Sequence, residues 1–206
     1  DIVLVKVSPL ILIFVLLARR KPNPMKRILV TGGLGYIGSH TCVALIEAGY
    51  HPVVIDNLRN TTFSVKESIE EISGKSLEFY ELDAKDAKSV SNSIGHLDGV
   101  IHFAALKSVG ESIEKPIEYY TENLESLLSI IQVANEKNAK SFIFSSSATV
   151  YGDTNESCVT EETPLGKPLN PYGHTKILGE KILQSGKQKF KTILLRYFNP
   201  VGAHES

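Results

Sequence analysis

The chain has 206 residues, of which 42% are hydrophobic and 22% charged, and its formal net charge is -1. This length is sufficient for one domain with a substantial core, and the near-neutral charge excludes a basic field that would attract nucleic acid. Two cysteines and six histidines without i, i+4 pairing form neither a disulfide framework nor a paired metal motif. We therefore expect a cytoplasmic protein that binds no metal.

The first 24 residues differ in character from the rest of the chain. An apolar run at 10–18 is followed by three basic residues at 19–21, and nine residues are too few to cross a bilayer as a helix. A signal peptide carries its positive charge before the apolar run, where this chain has only Lys6. We interpret residues 1–24 as an extraneous upstream extension or translated leader, with a membrane-surface anchor as the alternative, and residues 25–206 as the folded domain.

From Met25 onward, short apolar runs alternate with segments of helical periodicity. The sequence predicts strands at Arg27–Thr31, Pro52–Ile55, Leu77–Leu82, Gly99–Ala105, Ser141–Ser145 and Thr192–Tyr197. It predicts helices at Tyr36–Ala48, Ser64–Ile72, Ala87–Ile94, Pro116–Asn138 and Tyr172–Leu183. The strands are continuously apolar, as expected where helices cover both faces of a parallel sheet. Strict alternation of strand and helix predicts an α/β fold with a doubly wound parallel sheet of the Rossmann type.

The first predicted strand ends in a G-x-x-G-x-x-G loop formed by Gly32, Gly35 and Gly38. Glycines at these positions permit a tight turn and let the backbone approach a pyrophosphate, while the N-terminus of the next helix offers unpaired N–H groups. That helix opens with Tyr36 and Ile37, which we include among the predicted cofactor-binding residues. Such a loop alone can be a structural turn, and its position between strand and helix favours dinucleotide binding.

An acidic residue ends the second predicted strand, as dinucleotide binding requires. Asp56 follows Gly32 by 24 residues, close to the ~20 expected, and its carboxylate can accept hydrogen bonds from ribose hydroxyls. A carboxylate also repels a 2′-phosphate, which favours NAD over NADP. Arg59 is a complication because a nearby guanidinium can bind that phosphate. We include Asn57 with Asp56 among the predicted cofactor-binding residues. The alternative is that Asp56 and Asn57 only form a turn.

A Tyr-x-x-x-Lys pair, Tyr172 and Lys176, opens the helix after the fifth predicted strand. Residues i and i+4 share one helix face, although such a pair also arises by chance on solvated helices. The pair lies where the carboxyl ends of parallel strands meet a ligand crevice. Three serines at 145–147 end the fifth strand, and buried hydroxyl groups need partners. This polar strand end is therefore interpreted as the lining of a site.

Four segments carry a resemblance to a known family: Leu29–His40, His102–Ser112, Phe142–Gly152 and Leu195–His204. They resemble the UDP-glucose 4-epimerases, a family of the extended short-chain dehydrogenase/reductase superfamily, and the similarity runs from about residue 25 to residue 206. Sugar-nucleotide 4,6-dehydratases of the same superfamily typically have Asp-Glu where this chain has Ala148-Thr149. The absence of that acid pair argues against dehydration.

The resemblance implies catalytic roles. Tyr172 is the expected base for the sugar 4-hydroxyl, and Lys176 together with the positive nicotinamide ring is expected to lower the pKa of that tyrosine. Tyr172 and Lys176 are also expected to contact the cofactor, Lys176 through a hydrogen bond to the nicotinamide ribose. Ser147 is expected to hold the reacting oxygen, with Thr149 assisting. Substrate binding is expected at Ser147, Tyr172 and Asn199. Hydride would pass from sugar carbon 4 to NAD⁺ and back to the other face of the 4-keto sugar, so that NAD is recycled.

The resemblance also implies the remaining cofactor contacts. They are expected at Asp83 beside the adenine and, along the cofactor, at Ala84, Phe103, Ala104, Ala105, Lys107 and Asn123. UDP-glucose and UDP-galactose are the implied substrates, and a homodimer is implied for the full-length protein. The resemblance further implies a missing C-terminal substrate domain, so the fragment itself is expected to be inactive. Alternatives left open are another sugar-nucleotide epimerase, including one for uronic acids or N-acetylated sugars, a 4,6-dehydratase, and a catalytically silent NAD-binding module.

Overall fold

The computed structural model describes residues 3–5, 26–154, 156, 158–186 and 188–204. The strands are β1 Val3–Val5, β2 Arg27–Thr31, β3 His51–Asp56, β4 Glu78–Glu81, β5 Gly99–His102, β6 Ser141–Ser147 and β7 Lys191–Tyr197. The helices are α1 Tyr36–Glu47, α2 Ser64–Ser73, α3 Ala87–Ser93, α4 Val109–Glu114, α5 Pro116–Glu136 and α6 Pro171–Ser185, with a 3-10 turn at Ala148–Tyr151.

All described strands are parallel, in the order β1-β7-β6-β5-β2-β3-β4. Strand β2 lies between β3 and β5, so the chain first winds outward to β4 and then crosses back to start the other half. The reversal between β2 and β5 opens a crevice at the carboxyl ends of these strands, where such sheets bind ligands. The predicted doubly wound fold is confirmed.

Two hydrophobic clusters cover the two faces of the sheet. Alternate residues of β2 enter opposite clusters. Leu29 packs in one cluster with residues of α3, α5 and α6. Ile28 and Val30 pack in the other with residues of α1 and α2. Leu29 and Val30 are 0% exposed. Burial on both faces explains why the strand is continuously apolar, as the sequence predicted.

Three local features differ from the prediction. Strand β5 ends at His102 rather than at Ala105, because its pairing with both neighbours stops there and the chain turns into the crevice. Strand β6 continues to Ser147, which lies opposite Tyr197 of β7. Helix α4 was not predicted. It begins after Ser108, whose side chain caps it by accepting a hydrogen bond from the backbone of Glu111. The helix has only six residues, too few to give a clear helical periodicity in the sequence.

Part of the segment interpreted as an extension lies against the sheet. Val3–Val5 pairs in parallel with residues 193–195 of β7. The apolar run at 10–18 lies outside the described residues, so both the leader interpretation and the membrane-surface alternative stay predictions. Within the described ranges, no helix is long and apolar enough to span a membrane.

Candidate active site

The loop between β2 and α1 is tightly packed backbone. Gly32 has φ +65°, and a Cβ there would lie 2.8 Å from the backbone nitrogen of Ala104. A Cβ on Gly38 would lie 2.3 Å from the carbonyl oxygen of Gly32. Gly35 precedes α1, and no side chain of the described residues caps its first turn, which also carries no acid. The N–H groups of that turn are therefore available to an anion.

A cavity of about 400 Å³ lies beside this loop, at the carboxyl ends of the strands around the switch point. Ten of the predicted cofactor-binding residues line it: Gly32, Asp56, Asn57, Asp83, Ala84, Phe103, Ala104, Ala105, Lys107 and Asn123. The other predicted site residues lie outside its wall: Gly35, Tyr36, Ile37, Gly38, Ser147, Thr149, Tyr172, Lys176 and Asn199. The cavity therefore corresponds to part of the predicted cofactor site, and the Tyr–Lys pair forms a separate group.

Sequence reasoning missed part of the wall. The structure adds Ile55, Asn60, Thr61, Leu82, Lys85, Leu106, Ser108, Glu111, Tyr119, Glu122 and Ser126, and brings in Arg59, which was noted only as a complication. Most of these residues follow the ends of β3, β4 and β5, so their position after predicted strands was a usable signal. Thr61 also holds the glycine loop, since its hydroxyl donates to the carbonyl of Leu34 at 2.8 Å.

The carboxylate of Asp56 is held by backbone groups. Its Oδ2 accepts from the N–H of Leu34 at 3.2 Å and its Oδ1 from the N–H of Leu58 at 3.0 Å. Leu58 has φ +57°, so the chain turns sharply after β3. Burial raises the pKa of Asp56, and these hydrogen bonds act in the opposite direction. A carboxylate has about four acceptor sites, so Asp56 can still accept a hydrogen bond from a ligand.

A buried histidine supports the cavity wall from within the sheet. His102 Nδ1 lies 2.8 Å from Thr31 Oγ1, which also accepts from the N–H of Ala104 at 3.2 Å. The Thr31 hydroxyl therefore links the imidazole to the backbone of the cavity wall. His102 stacks at 6.2 Å on the Phe144 ring, and burial lowers its pKa from 6.5 to about 3. This neutral imidazole was not among the site residues predicted from the sequence.

Asn123 uses its side chain within the protein. Its Oδ1 accepts from the N–H of Leu106 at 2.7 Å, and its Nδ2 donates to the Leu106 carbonyl at 2.9 Å and to Thr175 Oγ1 at 3.1 Å. Asn123 thus links α5 to the chain after β5 and to α6. The structure gives it a positioning role in the wall, and its direct contact with a cofactor stays a prediction.

The Tyr–Lys pair opens helix α6. Pro171 occupies its first turn, and the Asn170 side chain caps it by accepting from the N–H of Gly173 at 2.8 Å. Lys176 is 4% exposed, and its Nζ donates to the carbonyl of Ser145 at 2.8 Å. The same Nζ lies 5.7 Å from the centroid of the Tyr172 ring. Burial lowers the pKa of Lys176 to about 8. Helix and strand end thus bring the two predicted side chains together.

The acid–base properties of Tyr172 differ from the expectation. In this chain its pKa is raised, not lowered, because burial outweighs the hydrogen bond from Ser147 that lowers it. The expected lowering invoked the positive nicotinamide ring in addition to Lys176. Thr149 Oγ1 is buried, and none of the described residues provides it with a hydrogen-bond partner. A buried hydroxyl without a protein partner can bind an oxygen of a ligand.

Asn199 lies on the same edge of the sheet. It is exposed and lies two residues after the end of β7. The last residue of β7, Tyr197, pairs in register with Ser147 of β6. Its predicted substrate contact stays a prediction. Among the described residues, no group of three or more His, Cys, Asp or Glu side chains could hold a metal ion.

A doubly wound parallel sheet, an uncapped glycine loop and a buried Tyr–Lys pair define the class of dinucleotide-binding enzymes. Within that class, the NAD dependent epimerase/dehydratase family matches residues 28–206, and the chain belongs to it. It is 47% identical over 185 residues to UDP-glucose 4-epimerase of Dictyostelium discoideum, covering 87% of this chain and 54% of that protein. It is 47% identical over 184 residues to the Bacillus subtilis protein of that name, with the same coverage. The chain spans about half the length of the curated relatives it matches.

Solved structures show the same similarity. The UDP-glucose 4-epimerase of Bifidobacterium longum, solved in complex with NAD+ and UDP, is 46% identical with a TM-score of 0.84, covering 87% of this chain and 55% of that one. The UDP-Glc/GlcNAc 4-epimerase of Campylobacter jejuni is 34% identical with a TM-score of 0.78, covering 84% and 53%.

Proposed function

We propose that these residues form the cofactor-binding part of a UDP-glucose 4-epimerase, which interconverts UDP-glucose and UDP-galactose with NAD as a recycled cofactor. The observation that carries this proposal is the grouping of Ser147, Tyr172 and Lys176 at the edge of the sheet beside the crevice. The names and bound ligands of the relatives support it. Because those relatives are almost twice as long, the activity is proposed for a protein of their length.

The chain fits the cofactor at three places. The uncapped N-terminus of α1 and the glycines before it suit a pyrophosphate. Asp56 lines the cavity at the end of β3 and suits the ribose hydroxyls of adenosine. Lys176 places its ammonium group beside Ser145 of β6, and the N–H donors of that group suit the hydroxyls of the nicotinamide ribose. When bound, NAD would accept the hydride of sugar carbon 4 and return it to the other face of the 4-keto sugar.

The residues themselves handle the proton. Tyr172 would take the proton of the sugar 4-hydroxyl and return it after the sugar has turned over. Ser147, which acts to lower the pKa of Tyr172, would share the reacting oxygen with it. Thr149 offers a buried, unused hydroxyl among the described residues. Positive charge on Lys176 and on the cofactor ring favours the phenolate of Tyr172, which is the form that acts as base.

Two experiments test this function. Calorimetry on the chain should show NAD binding, and Asp56→Ala should weaken it. In a protein of the relatives' length that carries these residues, a coupled assay should show conversion of UDP-galactose to UDP-glucose, while residues 1–206 alone should show negligible turnover. NAD binding without any conversion by the longer protein would refute the epimerase and favour a silent NAD-binding module.

The remaining features of the proposal concern the setting of the enzyme. We propose a folded domain at 25–206, a cytoplasmic protein whose cysteines stay thiols, and a homodimer at full length. Ile113 and Ile117 support the dimer, since they are 62% and 76% exposed on adjoining helices. Sedimentation of the longer protein should give twice its monomer mass, and a monomer at micromolar concentration would contradict the dimer.

A further inference from the structure

Arg59 occupies the position at which a dinucleotide site could bind an extra phosphate. It lies three residues after Asp56 in the loop that follows β3, and both residues line the same cavity. The side chain of Asn57 fixes this loop, because its Oδ1 accepts from the N–H of Arg59 at 3.2 Å. An arginine close to the ribose-binding acid is the usual receptor of the 2′-phosphate of NADP.

The guanidinium of Arg59 is instead directed to helix α5. Its Nη2 donates to Glu118, and its Nη1 lies 3.8 Å from Glu122 Oε2. Glu118 and Glu122 are one helical turn apart and share a face, so both carboxylates meet one cation. Glu122 Oε1 also accepts from Lys85 Nζ at 2.5 Å. Two helix carboxylates therefore engage the cations on both sides of this part of the cavity.

The wall around this cluster has an excess of negative charge. Besides Asp56, the carboxylates that line the cavity are Asp83, Glu111 and Glu122, whereas its cations are Arg59, Lys85 and Lys107. Glu118 adds a further carboxylate against Arg59. A 2′-phosphate adds a charge of about -2, so it would enter a region that is already net negative and whose arginine is engaged.

We propose that Glu118 and Glu122 determine cofactor specificity in this chain: by holding Arg59 they keep it from recognising a 2′-phosphate and so select NAD over NADP. The inference rests on the proposed binding of NAD and extends it to residues outside the loop after β3. Asp56 excludes the phosphate at the ribose. The two glutamates hold Arg59, the guanidinium in the cavity wall that could attract the phosphate despite Asp56.

The test is the ratio of NADP to NAD affinity, measured by calorimetry on the chain and on a Glu118→Gln/Glu122→Gln double variant. Freed from its carboxylates, Arg59 should tighten NADP binding relative to NAD by roughly tenfold, the size of one charge interaction at a partly exposed site. Adding Arg59→Ala to the double variant should abolish most of that gain. The gain should also shrink as salt is raised, because these side chains are partly exposed.

A matched control removes two exposed carboxylates elsewhere, with Glu47→Gln/Glu71→Gln, and should leave the ratio unchanged. If the single variant Glu118→Gln and the double variant both keep the original ratio while binding NAD, the inference is overturned and Asp56 alone accounts for the preference. A gain in NADP affinity that survives Arg59→Ala also overturns it. Failure of the unaltered chain to bind NAD overturns the proposed function, and this inference with it.

Discussion

The buried imidazole of His102 should make the stability of this protein depend on pH. Above pH 6.5 the side chain is neutral in both the folded and the unfolded state, so it adds no pH dependence. Between pH 6.5 and about 3 only the unfolded state binds a proton there, and stability falls as pH falls. Since His102 is 2% exposed, no discount for solvent screening applies. From about pH 7 to about pH 5, this one group should cost about 2 kcal/mol of unfolding free energy.

Urea unfolding at the two pH values measures the effect, with His102→Asn as the variant that cannot titrate. The Asn variant should lose about 2 kcal/mol less than the parent over that interval, whatever its absolute stability. His96→Asn is the matched control for replacing a histidine by asparagine, because the His96 side chain is 63% exposed. Equal pH dependence of the parent and His102→Asn would refute a neutral, buried imidazole.

Four further changes test other parts of the structure. Tyr172→Phe in a protein of the relatives' length should lower turnover by about 10²–10⁴ while NAD stays bound. Gly38→Ala should weaken NAD binding severely, because its Cβ would meet the Gly32 carbonyl at 2.3 Å, as calorimetry would show. Arg196→Met should lower the free energy of unfolding by about 3–5 kcal/mol, because it leaves the 0% exposed carboxylate of Glu180 unpaired. A chain without residues 1–24 should bind NAD as the parent does, since the family similarity begins at residue 28.

Each change has a control and an outcome that contradicts it. Tyr50→Phe, remote from the site, should keep full turnover, and equal turnover in Tyr172→Phe would remove that residue from the mechanism. Gly110→Ala should be harmless because, apart from its own helix backbone and chain neighbours, no atom lies within 4 Å of a Cβ there. Normal binding by Gly38→Ala would refute the close packing. Lys66→Met breaks only a partly exposed pair and should cost less than about 1 kcal/mol, so a similar cost for Arg196→Met would argue against a buried ion pair. Weaker NAD binding after the truncation would contradict the leader interpretation.

The sequence predicted the sheet because its strands are buried on both faces and therefore appear as apolar runs. Ile28, Leu29 and Val30 show the reason, since neighbours along one strand enter opposite clusters. Strand ends were less predictable. An apolar run continues past His102, yet β5 does not, because Thr31 of β2 and Phe144 of β6 are the last residues that pair with it.

The candidate site was predicted where local motifs fix the backbone, as at Gly32 and Asp56. It was not predicted where distant segments meet. The contact of Arg59 with Glu118 spans 59 residues, and that of Thr31 with His102 spans 71. Nor did the sequence show how burial would affect Tyr172, because the balance of desolvation against hydrogen bonding depends on the packed environment.

Cys42 gives the glycine loop a chemical reporter of its own. Its Sγ lies 3.8 Å from the carbonyl of Gly33, the side chain is 0% exposed, and burial raises the pKa of the thiol. A thiol in this state reacts with a maleimide only when a local opening of the structure exposes it. Cys158, which is exposed, reacts without such opening. The slow phase of alkylation therefore reports how often the packing of α1 around Cys42 opens in the unmodified chain.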